Sequence, residues 1–157
     1  EDGCFVLANV CCGDDAAAAA RRQRAAAAGA LEEVVAALRA HAQEEFLQEY
    51  GCRALANVCF GDDAAAAARR QRAAAAGAIE EVVAALRAHA QVEVVQGNGC
   101  GALANICGDG SGVRARRRRA TQAGARTVAL AAMQAHPDND GVQDYGRNLL
   151  NRLPAEV

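Results

Sequence analysis

The sequence predicts an all-α protein built as a solenoid of repeated helical units. The first observation is internal repetition, because residues 51–91 nearly duplicate residues 3–43 at a displacement of 48 residues. A third, more divergent copy begins at Gly99, and the beginning of a fourth is visible at Gly146. The second observation is helical patterning, since alanine runs and apolar residues at helix spacing fill each copy. Repetition at this period is typical of solenoids, in which each unit buries its apolar face against its neighbours.

Three helices are predicted in each unit. The first, over residues 62–76, begins at a pair of aspartates that can cap free amides and ends before Gly77. The second, over residues 78–89, has apolar residues at i, i+3, i+4 and i+7, which predicts one buried stripe. The third, over residues 44–60, carries Gly51 on its core face. A glycine there indicates close helix approach, and we expect the backbones to touch.

The chain is predicted to be a single array of units covering residues 1–43, 44–91, 92–136 and 137–157, the last of them partial. Hydrophobic residues make up 52% of the chain, but many are alanines, so the core must depend on a sparse set of larger apolar residues. Neither end resembles a finished cap. We therefore expect a piece of a longer protein, or a protein whose ends are covered by partners.

A second set of positions lies on the third helix of each unit, rotated away from the core face. In residues 44–60 its members follow the spacing i, i+4, i+7, i+11 and i+14. If equivalent helices lie side by side about 10 Å apart, these positions merge into one continuous protein-binding surface. We call this surface the stripe, and it consists of Phe5, Asn9, Phe46, Tyr50, Arg53, Asn57, Asn98, Asn105, Tyr145, Asn148 and Arg152.

The segments GALEEVVAALRAH and GAIEEVVAALRAH, together with the LAN tripeptides that begin at Leu7, Leu55 and Leu103, form a recognisable pattern. In content and order the predicted helices resemble the armadillo repeat of β-catenin and importin-α relatives, over essentially the whole chain. The resemblance implies a right-handed α-solenoid, an alpha-alpha superhelix, of about three armadillo-type repeats plus partial end repeats.

The same resemblance implies a concave groove lined by the third helices. In that family an asparagine near the LAN position bonds the backbone of an extended peptide, which suits a carboxamide because it is both donor and acceptor. Asn9, Asn57 and Asn105 match this position, and Arg152 replaces it in the fourth copy. The chain departs from the family in having no tryptophan four residues earlier. The residues found there are Phe5, Arg53, Gly101 and Asn148.

The stripe has a second interpretation that the sequence leaves open. Each asparagine could instead bond to the backbone of its own or a neighbouring repeat and tighten the array. The aromatic side chains could likewise pack between adjacent helices instead of contacting a partner.

Arginines recur in the first helix of each unit, and all 17 basic residues of the chain are arginine. Aligned first helices would form a basic ridge, for which nucleic acid or an acidic lipid surface is one interpretation. The favoured interpretation is a solvated, salt-bridged face, because consecutive helical positions point in different directions. The ridge would contain Arg69, Arg70, Arg72, Arg116, Arg117, Arg118 and Arg119.

Six of the seven cysteines recur in register and are expected to be small core residues, while Cys12 is the exception that could be exposed. Histidines 41, 89 and 136 recur at the end of the second helix and are expected to mark a helix terminus. No cluster joins a nucleophile, a base and an orienting acid, and metal-ligand spacings are absent. Catalysis, a cofactor and a metal site are therefore not predicted.

The sequence predicts a non-catalytic scaffold or adaptor that binds a protein segment along the concave face. The alternative is a structural or peripheral subunit of a large assembly, docked through its solenoid ends or the basic ridge. We expect protein partners and no nucleic acid, and no apolar run has the length of a membrane span. Cysteine usage favours an intracellular, reducing compartment, the cytoplasm first, with an organelle reached after presequence removal left open.

Overall fold

A computed structural model describes residues 2–154, and this part of the chain contains ten helices and no strand. The prediction of an all-α fold is confirmed for these residues. The helices are α1 (Asp2–Val10), α2 (Ala16–Ala27), α3 (Ala30–Ala40), α4 (Glu45–Val58), α5 (Ala64–Ala76), α6 (Ala78–Ala88), α7 (Glu93–Ile106), α8 (Val113–Ala123), α9 (Ala125–Ala135) and α10 (Asp140–Arg152).

Capping residues place the helix boundaries close to those expected from the sequence. Asp63 is the N-cap of α5, and its side chain accepts a hydrogen bond from the Ala66 amide at 2.6 Å. Gly77, at a φ of 97°, is both the C-cap of α5 and the N-cap of α6. Only glycine adopts this left-handed conformation at little cost, so a single residue can turn the chain between two helices.

Equivalent helices lie against one another in chain order. The long helices α1, α4, α7 and α10 each contact the next, and α3, α6 and α9 do the same. One continuous apolar core runs through these contacts. Its largest fully buried apolar side chains are Leu31, Leu38, Leu55, Ile79, Leu86, Leu103, Ile106 and Leu149.

The recurring glycine of the long helices accommodates a side chain, not a neighbouring backbone as the sequence suggested. A Cβ added at Gly51 would lie 2.6 Å from Cδ2 of Leu38, on the helix before it. The same relation joins Gly99 to Leu86. Each glycine is therefore a socket for a leucine that the preceding helix projects.

A recurring glutamine, which the sequence analysis did not single out, connects the same pair of helices. Gln48 on α4 is buried, and its Nε2 donates to the carbonyl oxygens of Leu38 and His41, both at 2.9 Å. Gln96 and Gln143 repeat this arrangement on α7 and α10. The glutamine satisfies carbonyls at the end of the second helix that have no partner within that helix.

Histidines terminate the second helices, as expected, and also link neighbouring units. His41, His89 and His136 are the C-cap residues of α3, α6 and α9. Nε2 of His89 lies 2.8 Å from the carbonyl oxygen of Ala42, in the preceding unit. His136 makes the equivalent contact one unit later.

The cysteines follow the predicted division. The six that recur in register are buried, Cys12 is exposed, and all seven are free thiols. Desolvation raises the pKa of Cys52, Cys59 and Cys100 to about 12. These thiols are protonated core residues of low reactivity.

The packing of Leu38 against Gly51 can be tested by adding one methyl group at the glycine. Gly51→Ala should lower the free energy of unfolding by about 1 kcal/mol, because crowding of Leu38 outweighs the gain in helix propensity. Gly3→Ala is the matched control, because among the described residues no heavy atom lies within 4 Å of an added Cβ there. Urea denaturation, monitored by circular dichroism, measures the unfolding free energy of both variants. An equal loss in the two variants would contradict a specific role for Gly51 in accommodating Leu38.

We also predict that stability falls as the pH rises above about 9. The unfolded thiols ionise near their ordinary pKa of 9.0, whereas burial holds the folded pKa of Cys52 and Cys100 near 12. Unfolding therefore releases protons in this range, and the stability that the buried thiols contribute below pH 9 is lost. Urea denaturation across the range should show a shallower decline for the Cys52→Ala, Cys100→Ala double variant. Cys12→Ala, which removes an exposed thiol instead of a buried one, is the matched control.

Candidate protein-binding groove

A groove with a cavity volume of about 480 Å³ crosses α4, α7 and α10. Six of the eleven stripe residues line it, so the folded chain brings these predicted residues together. The lining residues are Cys12, Gly13, Asp14, Arg22, Arg53, Ala56, Asn57, Phe60, Asn98, Gly101, Ala104, Asn105, Tyr145 and Asn148.

Two of the LAN asparagines tie neighbouring long helices together at the floor of this groove. Nδ2 of Asn57 donates to the carbonyl oxygen of Ala8 on α1 at 2.7 Å. Nδ2 of Asn105 donates in the same way to Ala56 on α4 at 2.9 Å. Each of these carboxamides is half-buried and keeps an oxygen without a hydrogen bond to the described residues. The asparagines thus tighten the array and still offer an acceptor to the groove.

Asn9 makes a different contact because none of the described helices precedes α1. Its Nδ2 donates to the carbonyl oxygen of Phe5, one turn earlier in the same helix, at 3.0 Å. Its Oδ1 accepts from Nη2 of Arg53 at 3.4 Å. Asn9 is exposed and does not line the groove.

The aromatic members of the stripe on α1 and α4 form a cluster beside the groove. The ring centroids of Phe46 and Tyr50 are 4.5 Å apart, and those of Phe5 and Tyr50 are 5.0 Å apart in an edge-on arrangement. The guanidinium of Arg53 lies 5.8 Å from the Tyr50 ring. These side chains pack on one another between adjacent helices, although Phe5 and Phe46 remain exposed.

At the opposite end of the groove a tyrosine occupies the space that a glycine leaves. A Cβ added at Gly101 would lie 3.4 Å from Cδ1 of Tyr145, so the ring packs directly on the α7 backbone. Oδ1 of Asn148 accepts from Nε of Arg152 at 2.9 Å. Arg152 therefore orients a groove residue without lining the groove itself.

Paired arginines from the following helix hold the C-terminal ends of three long helices, α1, α4 and α7. Nε of Arg69 donates to the Val58 carbonyl at 2.7 Å, and its Nη2 donates to the Phe60 carbonyl at 2.9 Å. Arg70 bonds in parallel to the carbonyls of Cys59 and Gly61. We call each such pair an arginine clamp. The other two clamps are Arg21 with Arg22 after α1, and Arg116 with Arg117 after α7.

The clamps correct the prediction of a solvent-facing basic ridge. Arg69, Arg70 and Arg116 are buried, and desolvation lowers the pKa of each. Helix-end carbonyls need donors, and these guanidinium groups supply them instead of facing solvent. Three further members of the predicted ridge have acidic partners, in the pairs Arg72 with Glu32, Arg119 with Glu80 and Arg117 with Asp109.

Arg118 is the one member of the predicted ridge that is exposed and makes no ion pair with the described residues. A single such arginine does not make a continuous basic surface. The favoured interpretation of a salt-bridged face therefore holds for Arg72, Arg117 and Arg119. The buried arginines of the predicted ridge instead bond to carbonyls at helix ends.

Sequence reasoning missed Arg22 as a wall of the groove. Its guanidinium lies 4.9 Å from the centroid of the Phe60 ring, which belongs to the next unit. The internal repeat was the one sequence signal that pointed to Arg22, because Arg22 is in register with Arg70. The contact itself depends on how two units approach each other, which spacing along the chain does not encode.

Within residues 2–154 no three His, Cys, Asp or Glu side chains are grouped so that they could hold a metal ion. In the same range no helix has both the length and the apolarity needed to cross a membrane.

No protein-family model matches this chain, and no curated protein or solved structure matches it either. The similarity to armadillo repeats accordingly stays a prediction that rests on the sequence motifs.

We predict that the asparagine bonds between units contribute measurably to stability. Asn57→Ala and Asn105→Ala should each lower the free energy of unfolding by about 1 kcal/mol, because a bond between neighbouring long helices is lost. Asn9→Ala should leave stability nearly unchanged, because its amide bond stays within α1, its contact with Arg53 is long at 3.4 Å and exposed, and alanine is the better helix former. Urea denaturation measures all three variants, and the same loss in the Asn9 variant would contradict the assignment.

Proposed function

We propose that this protein is a non-catalytic interaction scaffold that holds a protein segment in the groove across α4, α7 and α10. The observation that supports the proposal is the convergence of six stripe residues on one cavity. We further propose an armadillo-type, right-handed solenoid with this groove on its concave side. The ordered contacts between equivalent helices support that arrangement.

Amide groups give the groove a chemistry suited to a polypeptide backbone. Asn57, Asn98, Asn105 and Asn148 all line the cavity, and a carboxamide can pair with a peptide unit regardless of the side chain that the peptide carries. Bonds from asparagine to a peptide backbone give affinity, and side-chain contacts give specificity. We therefore propose a segment in extended conformation as the ligand, because its exposed peptide groups can each pair with one asparagine of the row.

Tyr145 and Arg53 provide the remaining recognition elements. The Tyr145 ring packs on Gly101 and keeps about half of its surface exposed, so it can anchor an apolar or polar side chain of the ligand. Arg53 is oriented by Asn9 and the Tyr50 ring. Its charge favours an acidic or carbonyl group of the bound segment.

The surrounding structure supports a groove that is formed before the ligand binds. The arginine clamps and the asparagine bonds hold the backbone on both sides of the cavity. A site that is already organised loses less entropy on binding.

A second candidate function is that of a subunit in a larger assembly, docked through an end of the array. An exposed apolar surface on α1 favours this candidate, because Val6 and Val10 are large side chains left open to solvent. The basic ridge gives it little support now that three of its arginines are buried. Seven free thiols support a reducing, intracellular compartment for either function.

The groove proposal is tested with linear peptides selected from a phage-displayed library on the wild-type protein. Tyr145→Ala should weaken their binding about tenfold, since exposed aromatic anchors contribute strongly to interfaces. Asn148→Ala should weaken it by a smaller factor through the lost carboxamide. Isothermal titration calorimetry measures both, with Arg118→Ala as the control because Arg118 is exposed and outside the groove.

Peptides that bind both groove variants as tightly as the wild type would refute the groove as the binding site. If Val6→Glu abolishes their binding instead, the second candidate function is favoured. Denaturation curves of the variants confirm that any loss is not due to unfolding.

A further inference from the structure

The guanidinium of Arg22 is buried in the wall of the groove, and one of its nitrogens has no protein partner. Arg22 is 3% exposed, its Nε donates to the Cys11 carbonyl at 3.1 Å, and its Nη2 donates to the Gly13 carbonyl. Its Nη1 makes no hydrogen bond to the described residues. Among these residues, Nε of Arg126 is the one side-chain nitrogen that is both unpartnered and closed off from solvent. Nη1 of Arg22 is therefore reached from the cavity that Arg22 lines.

The equivalent arginine one unit later uses all of its nitrogens. Arg70 bonds to the carbonyls of Cys59 and Gly61 as Arg22 does to those of Cys11 and Gly13, and its Nη1 also donates to the Asp109 carbonyl in the following unit at 2.7 Å. The unit that follows Arg22, residues 44–91, is in place but supplies no such carbonyl. The open donor is thus a property of this junction between two units inside the array.

Phe60 accounts for the difference between the two junctions. Gly108 stands at the equivalent position one unit later, and a Cβ added there would lie 2.8 Å from Cζ of Arg70. The glycine thus lets the loop that contains Asp109 close on the Arg70 guanidinium. At the first junction the Phe60 ring occupies this place, with its centroid 4.9 Å from Cζ of Arg22. The ring keeps the loop carbonyls from Nη1 and leaves this donor to the groove.

The charges of the groove lining favour a negative ligand. Arg53 is the second cation of the lining, and its one hydrogen bond among the described residues is the 3.4 Å contact of Nη2 with Asn9. Asp14 is the one acidic residue of the lining, and it makes no ion pair with the described residues. Two arginines and one aspartate give the lining a net charge of +1. A single carboxylate would balance this charge.

We propose that the groove selects a segment with an acidic side chain, whose carboxylate accepts a hydrogen bond from Nη1 of Arg22. This inference rests on the proposed function, because it names the class of peptide that the groove takes. Bonds from asparagines to the peptide backbone do not distinguish one sequence from another, whereas a buried bond between a guanidinium and a carboxylate does. Arg53 adds attraction for the same charge.

The probes for the test are linear peptides selected from a phage-displayed library on the wild-type protein. The selected sequences should share an acidic residue at a fixed position. Replacing a glutamate at that position by glutamine should weaken binding about tenfold in isothermal titration calorimetry, since a charge-assisted hydrogen bond is lost. Phosphoserine at the same position should bind no more tightly than glutamate, because the lining balances one negative charge. Tighter binding of the phosphoserine peptide would overturn the assignment of a carboxylate.

Removing the Phe60 ring tests whether the carboxylate lies at Arg22. Phe60→Ala opens the guanidinium to water, which weakens its bond to a carboxylate. The ratio of affinities between the glutamate and glutamine peptides should fall from about tenfold to about threefold or less. Leu130→Ala is the matched control, because Leu130 is 51% exposed against 44% for Phe60 and lies on α9 outside the groove. It should leave the ratio unchanged.

Charge changes in the lining should act with opposite signs. Asp14→Asn should tighten the glutamate peptide about threefold and leave the glutamine peptide unchanged, since a repulsion is removed. Arg53→Gln should weaken the glutamate peptide about threefold, and the glutamine peptide by less. Arg118→Gln removes a positive charge outside the groove and is the control for Arg53→Gln. Partial unfolding would weaken binding in every variant, so it would not produce the gain expected for Asp14→Asn.

The outcomes separate this inference from the proposed function. Peptides that lose affinity in Tyr145→Ala but bind equally well with glutamate or glutamine would overturn the inference and leave the groove as the binding site. Peptides that are insensitive to both Tyr145→Ala and Asn148→Ala would overturn the proposed function, and the inference with it. A preference for glutamate that neither Phe60→Ala nor Asp14→Asn alters would overturn the assignment to Arg22.

Discussion

The rest of this structure depends on one constraint. The carbonyl groups at the C-terminal ends of the long helices have no donor within their own helix. Those of α4 are buried between two units, where water does not replace the missing helical donors. Arg69 and Arg70 supply the donors and fix the angle at which α5 leaves α4. The same pair of side chains recurs after α1 and α7, so every junction repeats one geometry. The position of the groove follows from that geometry, because Phe60 lies in the clamped segment and Asn57 directly precedes it.

The chain needs such polar connections because its apolar side chains are small. Alanine permits close approach of helices but buries little surface, so the large leucines carry most of the core. Asparagine, histidine, and arginine with glutamate then connect each unit to the one before it, at positions that recur through the array. In a repeat protein the stability is set largely by such contacts between nearest neighbours.

Helix type and boundaries could be predicted from the sequence because local residues determine them. Asp63 begins α5 and Gly77 ends it through contacts within a few residues. Burial of Arg69 could not be predicted in this way, since an arginine run is ordinarily solvated and the carbonyls that it meets become defined only when α4 ends. The placement of the stripe residues could be predicted only in part, for a similar reason. Spacing placed its residues on one side of the long helices, but side-chain packing separated the Phe46 and Tyr50 cluster from the asparagines.

Gly77 has a mechanical consequence. One residue joins α5 to α6, and Gly124 joins α8 to α9 in the same way, so neither hairpin has a linker that could act as a hinge. Under tension or bending each hairpin moves as a stiff element, and the strain is taken up where successive hairpins meet. The contacts there include exposed ion pairs, which exchange readily with water. Any bending of the molecule is therefore expected between successive hairpins and not within them.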